Sequence, residues 1–459
     1  MGNRMVIGLL MLNTFEIQFS PHESAANDPL DRLTEADIAL FVNDQCLTEL
    51  EDRVAKTVRP AFRASTYRLA LWLAENWWRL RYEPESTTFE WQLSHHLAAV
   101  GGGYVWPSLS MASDGESMTL RMQPSRPSPT HDIRYLVELN LQIPVGVFFS
   151  GVDRFIVAVI ERLRIMGKPG NDLEALWAEI QDERHDPDTA HWRKLEALSG
   201  IDPGAPQGAF IDGLLTRQSV IGPNSLEEWV AEYKEKTQAT LDQFADIRTH
   251  RAVQLKMASL EPLRIHIQAE QDKNFVWSAL GGQSTQPWQQ AYKYAERVRE
   301  FLGIKSGPIN NHQFADLLET SQKAIFATDA VKSAPMTAGF RGNDVENFSV
   351  SFQTQVPTGR RFALARLLGD YLATSDAEHV LPATSRKTAR QKFQRAFAQQ
   401  LLCPVEELKA YLDTDEPSDE QIEEAAMIFN VSPLLVETTL VNQGLLDRHA
   451  LPAINPRHH

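Results

Sequence analysis

Cysteine is nearly absent from this chain of 459 residues: Cys46 and Cys403 are the only two, far apart in sequence, and no Cys-x-x-Cys pair occurs. That scarcity excludes a disulfide-stapled fold and a thiolate metal cluster, and it points to a reducing, cytoplasmic compartment. Long apolar runs are also missing. None approaches the roughly 20 residues that a membrane-spanning helix needs. The opening Met5-Val6-Ile7-Gly8-Leu9-Leu10-Met11-Leu12 is short, follows a single Arg4 and precedes no small-x-small cleavage site, so it is expected to be a first core strand rather than a signal peptide. Positive charge is in deficit, with 45 basic against 60 acidic residues and a net charge of −15. Such a field repels phosphate backbones, and nucleic-acid binding would need a local basic patch. Gly101-Gly102-Gly103 lacks the Lys and Ser/Thr of a phosphate loop and the spacing of a dinucleotide fingerprint, so it reads as a turn; no Gly-x-Ser-x-Gly elbow appears.

What is present is an ordinary globular balance, 43% hydrophobic and 23% charged. The alternation Phe15-Glu16-Ile17-Gln18-Phe19 predicts a half-buried strand, and two more are expected at 38–42 and 46–50. Helical spacing of Leu69, Trp72, Leu73, Trp77 and Leu80 predicts one buried helix over 62–81. Residues 104–122 read as a hairpin turning at Asp114-Gly115, and Val145–Phe149 as a strand feeding a helix through Ile160 and Leu163. Further helices are expected at 173–182, 189–198 and 226–257, with a linker near 281–285. The expected organisation is α+β: a unit over 1–165 with a small antiparallel sheet, a helical region over 166–285, and a third domain over 286–459.

Several side-chain clusters invite a chemical reading. His185-Asp186-Pro187-Asp188-Thr189-Ala190-His191 offers two imidazoles among carboxylates, but Pro187 interrupts it, and Asp188 reads better as the cap of the next helix. His95-His96 is expected near a helix end, where imidazolium complements the dipole. Seven of the ten tryptophans fall between Trp72 and Trp192 at apolar helical spacing, which favours core packing over a nucleobase platform. The basic run with Arg386, Lys387, Arg390, Lys392 and Arg395 is the best patch for an anionic partner, weighed against a solvated helix face.

From Pro287 onward, five landmarks occur in order. Pro287-Trp288-Gln289-Gln290-Ala291-Tyr292 opens a helix through Leu302-Gly303. Ala338-Gly339-Phe340 and the strand-like Phe348-Ser349-Val350-Ser351-Phe352 follow, then the helix Arg360–Leu372, Phe397-Ala398-Gln399-Gln400-Leu401-Leu402-Cys403-Pro404, and a closing helical segment over 422–446. This stretch, about residues 286–446, resembles the ImmA/IrrE family of metallopeptidases. The resemblance implies a zincin-like domain whose active helix reads R-F-T-L-A-H-E-L-G-H-x-L. In that register the two zinc-binding histidines fall on Arg366 and Asp370 and the general base on Leu367, while Thr388–Ala396, where the family supplies an acidic third ligand, holds no Asp or Glu. Two His at i and i+4 share one helix face to hold zinc; a guanidinium offers no lone pair. No catalytic residue, metal or other cofactor is therefore expected, and Arg366 and Asp370 are expected to pair across the turn in place of the ion.

Family members often act on helix-turn-helix repressors or belong to phage-defence and toxin-antitoxin loci. The resemblance thus implies a catalytically inactive protein that works by protein–protein interaction, with a helix-turn-helix regulator as a possible partner, no membrane, and nucleic acid disfavoured. The alternative is an enzyme whose site lies in the first 280 residues, with the C-terminal part as a regulatory lobe.

Overall fold

The structure is a computed structural model that describes residues 14–24, 26–126, 132–206, 208–232, 237, 242, 253–270, 287–326, 334–342, 347–412 and 417–446. The residues over 1–13 and 281–285, where a first strand and a linker are expected, lie outside the described set. The fold is mixed α+β with small, wholly antiparallel sheets. Two compact units divide the chain, the first ending its main span at Pro203 and the second beginning at Gly204. No single helix among the described residues is long and apolar enough to cross a membrane.

In the first unit β1 (Phe15–Pro21) pairs with β2 (Glu35–Val42), which also pairs with β3 (Gln45–Cys46) and β6 (Phe62–Ser65). A second sheet runs β5 (Thr57–Arg59), β4 (Leu50–Asp52), β9 (Ile133–Tyr135), and a third runs β10 (Leu139–Pro144), β8 (Ser117–Met122), β7 (Leu109–Ser113). The β7–β8 hairpin turns at Asp114-Gly115 as expected. The Asp114 side chain accepts from the Glu116 and Ser117 N–H groups, and Gly115 takes a positive φ of 97°.

The helices of this unit are α1 (Pro29–Thr34), α2 (Thr66–Glu75), α3 (Trp77–Tyr82), α4 (Phe89–His95), α5 (Val145–Ile165), α6 (Asp172–His185) and α7 (Pro187–Leu198). Three expectations are corrected here. The single helix over 62–81 begins as strand β6, starts helically only after the Ser65 cap, and breaks at Asn76, whose side chain donates to the Trp72 carbonyl at 2.8 Å. The strand expected at 145–149 is the first turn of α5, where Val145, Phe148, Phe149, Val152, Phe155, Ile156 and Val159 are buried at helical spacing. A long 3.6-residue period outweighs the β preference of a short β-branched run. The strand expected at 46–50 splits between β3 and β4, with Thr48 turned inward so that its hydroxyl donates to the Pro60 carbonyl at 2.8 Å. Helix α5 crosses β1 so closely that a Cβ on Gly151 would lie 2.2 Å from the Phe15 carbonyl oxygen. Of the seven tryptophans from Trp72 to Trp192, all but Trp192 are buried, so these rings are core.

The second unit holds α8 (Gly208–Leu215), α9 (Gln218–Ile221), α10 (Pro223–Glu232), β11 (Val253–Leu255), α11 (Glu261–Glu270), α12 (Pro287–Phe301), α13 (Asn311–Leu317), α14 (Gln322–Phe326), β12 (Thr337–Arg341), β13 (Phe348–Ser351), α15 (Pro357–Ala373), β14 (Val380–Ala383), α16 (Ala389–Leu402), α17 (Val405–Leu412), α18 (Asp419–Phe429) and α19 (Pro433–Asn442). The helix expected over 226–257 is helical through Glu232, and its far end is instead strand β11, paired with β13. The sheet order is β11-β13-β12-β14. Helix α16 packs between α12 and α15, with Phe393 and Phe397 wholly buried. A Cβ on Gly369 would meet the Phe397 ring at 2.6 Å, so glycine is what lets α15 and α16 approach this closely. That close crossing sets the geometry of the polar cluster at their ends.

Candidate functional site

The positions singled out on α15 lie at a buried polar cluster shared by α10, α15, β14 and the start of α16. Leu367 is 1% exposed and belongs to the apolar core. Asp370 is fully buried, and its partner is not Arg366. Arg390 of α16 forks onto it, Nε donating to Oδ1 at 2.8 Å and Nη2 to Oδ2 at 2.7 Å. The expected Arg366–Asp370 pair is thus corrected: the bridge that replaces an i,i+4 contact runs between helices. A bidentate fork needs a coplanar approach, which Arg390 on the neighbouring helix supplies here.

Arg390 also faces a second carboxylate. Its Nη1 donates to Ser225 Oγ at 3.1 Å and lies 3.7 Å from Glu378 Oε2. Glu378 in turn closes the N-terminus of α10, accepting from the Asn224 N–H at 3.2 Å, the Asn224 side-chain amide at 3.0 Å and the Ser225 N–H at 2.7 Å. A carboxylate there satisfies orphan helix donors and meets the positive end of the dipole. Gly222, at φ 102°, makes room for it, since a Cβ would sit 2.7 Å from both the Cα and Oε2 of Glu378. Burial pulls the Arg390 guanidinium down, but Asp370, Glu378 and Glu228 together outweigh it and hold the group above its ordinary value. Arg390 is a permanent cation inside the fold.

Two further side chains titrate abnormally. Burial pushes the Glu228 carboxyl up to about 7 despite Arg390 and the hydroxyl of Thr388, which donates to it at 2.8 Å. Burial also depresses Arg366 to about 9, aided by Arg395. Arg366 Nη2 donates to the Thr384 carbonyl at 2.7 Å and to Gln391 Oε1 at 2.5 Å.

The basic patch expected at 386–395 does not form one surface. Arg390 is internal and 1% exposed. Arg386 bonds the Glu232 carbonyl at 2.9 Å and lies 3.5 Å from its carboxylate. Lys387 is exposed, whereas Lys392 and Arg395 are half-buried. A helix whose other faces pack on α12 and α15 turns its basic residues in several directions, and linear spacing alone does not separate them. Glu378, Ser225, Glu228 and Gly222 were not legible as site residues, because nothing local in sequence ties them to α15.

As a zinc site this arrangement does not fit. Arg366 has no lone pair to give, Leu367 has no proton acceptor, and both Asp370 oxygens are occupied by Arg390. Among the described residues, no group of three or more His, Cys, Asp or Glu side chains converges to hold a metal ion.

In the first unit the His185–His191 segment is exposed helix-capping structure. Asp186, not Asp188, is the cap of α7, accepting from the Thr189 N–H at 3.2 Å; Pro187 at the first helical position moves the cap one step earlier. His185 shares a 2.5 Å hydrogen bond with the Gln181 carbonyl. His95 stands at the end of α4 as expected, but not as a dipole-compensating cation. It is wholly buried, with Nδ1 2.9 Å from the Trp91 carbonyl, and burial drives it down to about 3. A shallow groove of about 360 Å³ is lined by Asp153, Arg154, Trp177 and Gln181 among others. Its Asp153 is engaged by Trp77 Nε1 at 3.2 Å and Arg184 at 2.9 Å. Compared with models of protein families, with curated proteins and with solved structures, the chain matches none.

Proposed function

We propose that this chain is a catalytically inactive, metallopeptidase-like protein of the cytoplasm that acts by binding another protein. The observation that carries the reading is the buried Asp370–Arg390 fork: at the helix crossing where the ImmA/IrrE resemblance would put zinc and its activated water, a salt bridge holds the two helices together instead. A zinc-water nucleophile needs three protein ligands and an open position. Here an arginine, a leucine and a saturated carboxylate stand at the corresponding positions. The resemblance adds the expected setting, a regulatory, phage-defence or toxin-antitoxin role beside a helix-turn-helix or other co-encoded partner.

Metal analysis of protein purified without a histidine tag tests the first half: far less than one zinc per chain is expected, and stoichiometric zinc held through dialysis against a mild chelator would overturn the reading. Co-purification from the native host tests the second half. A specific, stoichiometric protein partner is expected, and its consistent absence would remove the interaction role. The rival reading, an enzyme within the first 280 residues, can draw on the shallow groove beside α5 and α6, whose carboxylate Asp153 is already bonded by Trp77 and Arg184.

A further inference from the structure

Among the described residues of the second unit, one pair of neighbouring large apolar side chains stands in water: Met427, 73% exposed, and Ile428, 43% exposed. They lie in the last turn of α18. Asn430 ends that helix in the left-handed region at φ 52°, and α19 leaves it at a bend of 110°. Glu420, Glu423 and Glu424 share the same outward stripe at three- and four-residue spacing, opposite the buried Ile422, Ala425, Ala426 and Phe429. Tyr411 of α17, itself 37% exposed, borders the stripe: its ring meets Phe429 edge-on at 6.4 Å and its hydroxyl donates to Glu424.

The fold does not account for this composition. Asp419 and Glu420 lie in the first turn of α18, where a carboxylate answers the helix dipole, but Glu423 and Glu424 stand beyond it. Glu406 lies 3.6 Å from Lys409 and Glu407 2.8 Å from Arg299, whereas no described Lys or Arg pairs with Glu420, Glu423 or Glu424. Glu420 and Glu424 are instead a like-charge pair at i, i+4, which weakens a helix. Over residues 406–424 the sequence carries nine acidic residues against one lysine, a net −8 that makes up more than half of the chain's −15.

We infer that this face of α18 docks a basic amphipathic segment of the partner protein. Its apolar side chains seat on Met427, Ile428 and Tyr411, and its Lys or Arg residues face Glu420, Glu423 and Glu424. The inference rests on the interaction reading above and names the chemistry of the partner. Removing the two exposed apolar side chains from water supplies affinity, and the flexible thioether of Met427 adapts to the shape that covers it. The glutamates steer and orient the approach, and the field of the whole chain adds to their pull. That field disfavours the other occupants: a second copy would set the same glutamates against each other, and nucleic acid, an anionic membrane or an acidic peptide would be repelled.

The test uses the full chain and calorimetric titration with a blocked peptide of lysine and leucine at amphipathic helical spacing. The same composition scrambled, the peptide with glutamate in place of lysine, and oligothymidylate are run in parallel. Saturable binding of the amphipathic lysine peptide is expected, weakening several-fold between about 50 and 200 mM salt, with no binding of the glutamate peptide or oligothymidylate. Met427→Ser is expected to lower affinity about tenfold. Glu423→Gln combined with Glu424→Gln is expected to lower it several-fold and to flatten the salt dependence. Two controls at exposed positions elsewhere are expected to stay within about twofold of the parent: Ile265→Ser, and Glu179→Gln combined with Asp182→Asn, which removes the same charge. All the substituted side chains are exposed, so thermal unfolding is expected to match the parent. Equal binding by Met427→Ser, an equal loss in the controls, or a scrambled peptide that binds as tightly overturns the inference. So does dimerisation of the chain alone that Met427→Ser abolishes, read by sedimentation. Stoichiometric zinc would instead sink the interaction reading itself. A native partner that binds the parent and Met427→Ser alike would leave that reading standing and remove only this docking face.

Discussion

Two buried charge clusters, the one around Arg79 in the first unit and the one around Arg390 in the second, are built in different ways. In the first, Arg79 meets Glu83 four residues later, Nε to Oε2 at 2.7 Å, and the other buried ionisable group beside them, His95, is neutral. In the second, the partners lie 20 positions apart for Asp370 and Arg390, and 153 apart for Ser225 and Glu378. The first arrangement is built largely within one turn and survives as long as that turn does. The second ties four elements of the unit together, so its members are hostage to one another. A buried network of this kind contributes little net stability over an apolar core, yet it is costly to break on one side.

Replacing Arg390 by Met breaks this contrast most sharply, because Asp370 and Glu378 are left buried without their cation. A loss of about 3–5 kcal/mol is expected, read by urea unfolding with hydrogen exchange reporting each unit separately. The second unit should lose protection while the first keeps it. The double variant Arg390→Met with Asp370→Leu should recover a good part of the loss, and a purely additive result would show that the fork is not the coupling element.

The pH dependence sharpens the comparison, since the two units should respond with opposite sign. His95 takes up its proton far more readily when unfolded, so its contribution is present above pH 6.5 and is lost as pH falls toward 3. Glu228 is held protonated in the fold, so its contribution is fully present below pH 4.5 and is lost as pH rises through about 7. Raising a carboxyl that far above its ordinary value corresponds to an effect on the order of 3 kcal/mol. Exchange measured from pH 5 to 8 should show the second unit weakening up to about pH 7 while the first strengthens up to about pH 6.5 and then holds, with Glu228→Gln flattening the slope of the second alone. Parallel slopes in both units would contradict the assignment.

The smallest expected effect concerns Gly222. Alanine there meets both a positive φ and the backbone of Glu378, and a loss of about 1–3 kcal/mol is expected, measured as a shift in the unfolding midpoint of the second unit. An unchanged midpoint would mean that Glu378 can move aside without leaving α10.

The α+β character, strand β1, the β7–β8 hairpin and helices α6 and α7 were legible because each carries a complete local signal, an alternation, a turn pair or helical spacing, whereas helices α12, α15 and α16 were expected only through the landmarks of the resemblance. The break at Asn76 and the helical state of 145–149 were not, since a side chain folding back on its own helix and the packing of a long buried stripe are settled after the local pattern. At the candidate site the same division holds residue by residue. That positions 366 and 367 offer no zinc ligand or general base follows from the identities Arg and Leu alone, because lone pairs are a property of the side chain wherever it sits, whereas Asp370 could ligate a metal by identity and is taken up only because Arg390 forks onto both its oxygens. Which cation answers Asp370, that Arg390 is internal while Lys387 is not, and that Glu378 reaches the start of α10 belong to the tertiary structure. A charge chooses its partner by distance and desolvation, and both are set only when distant parts of the chain pack together.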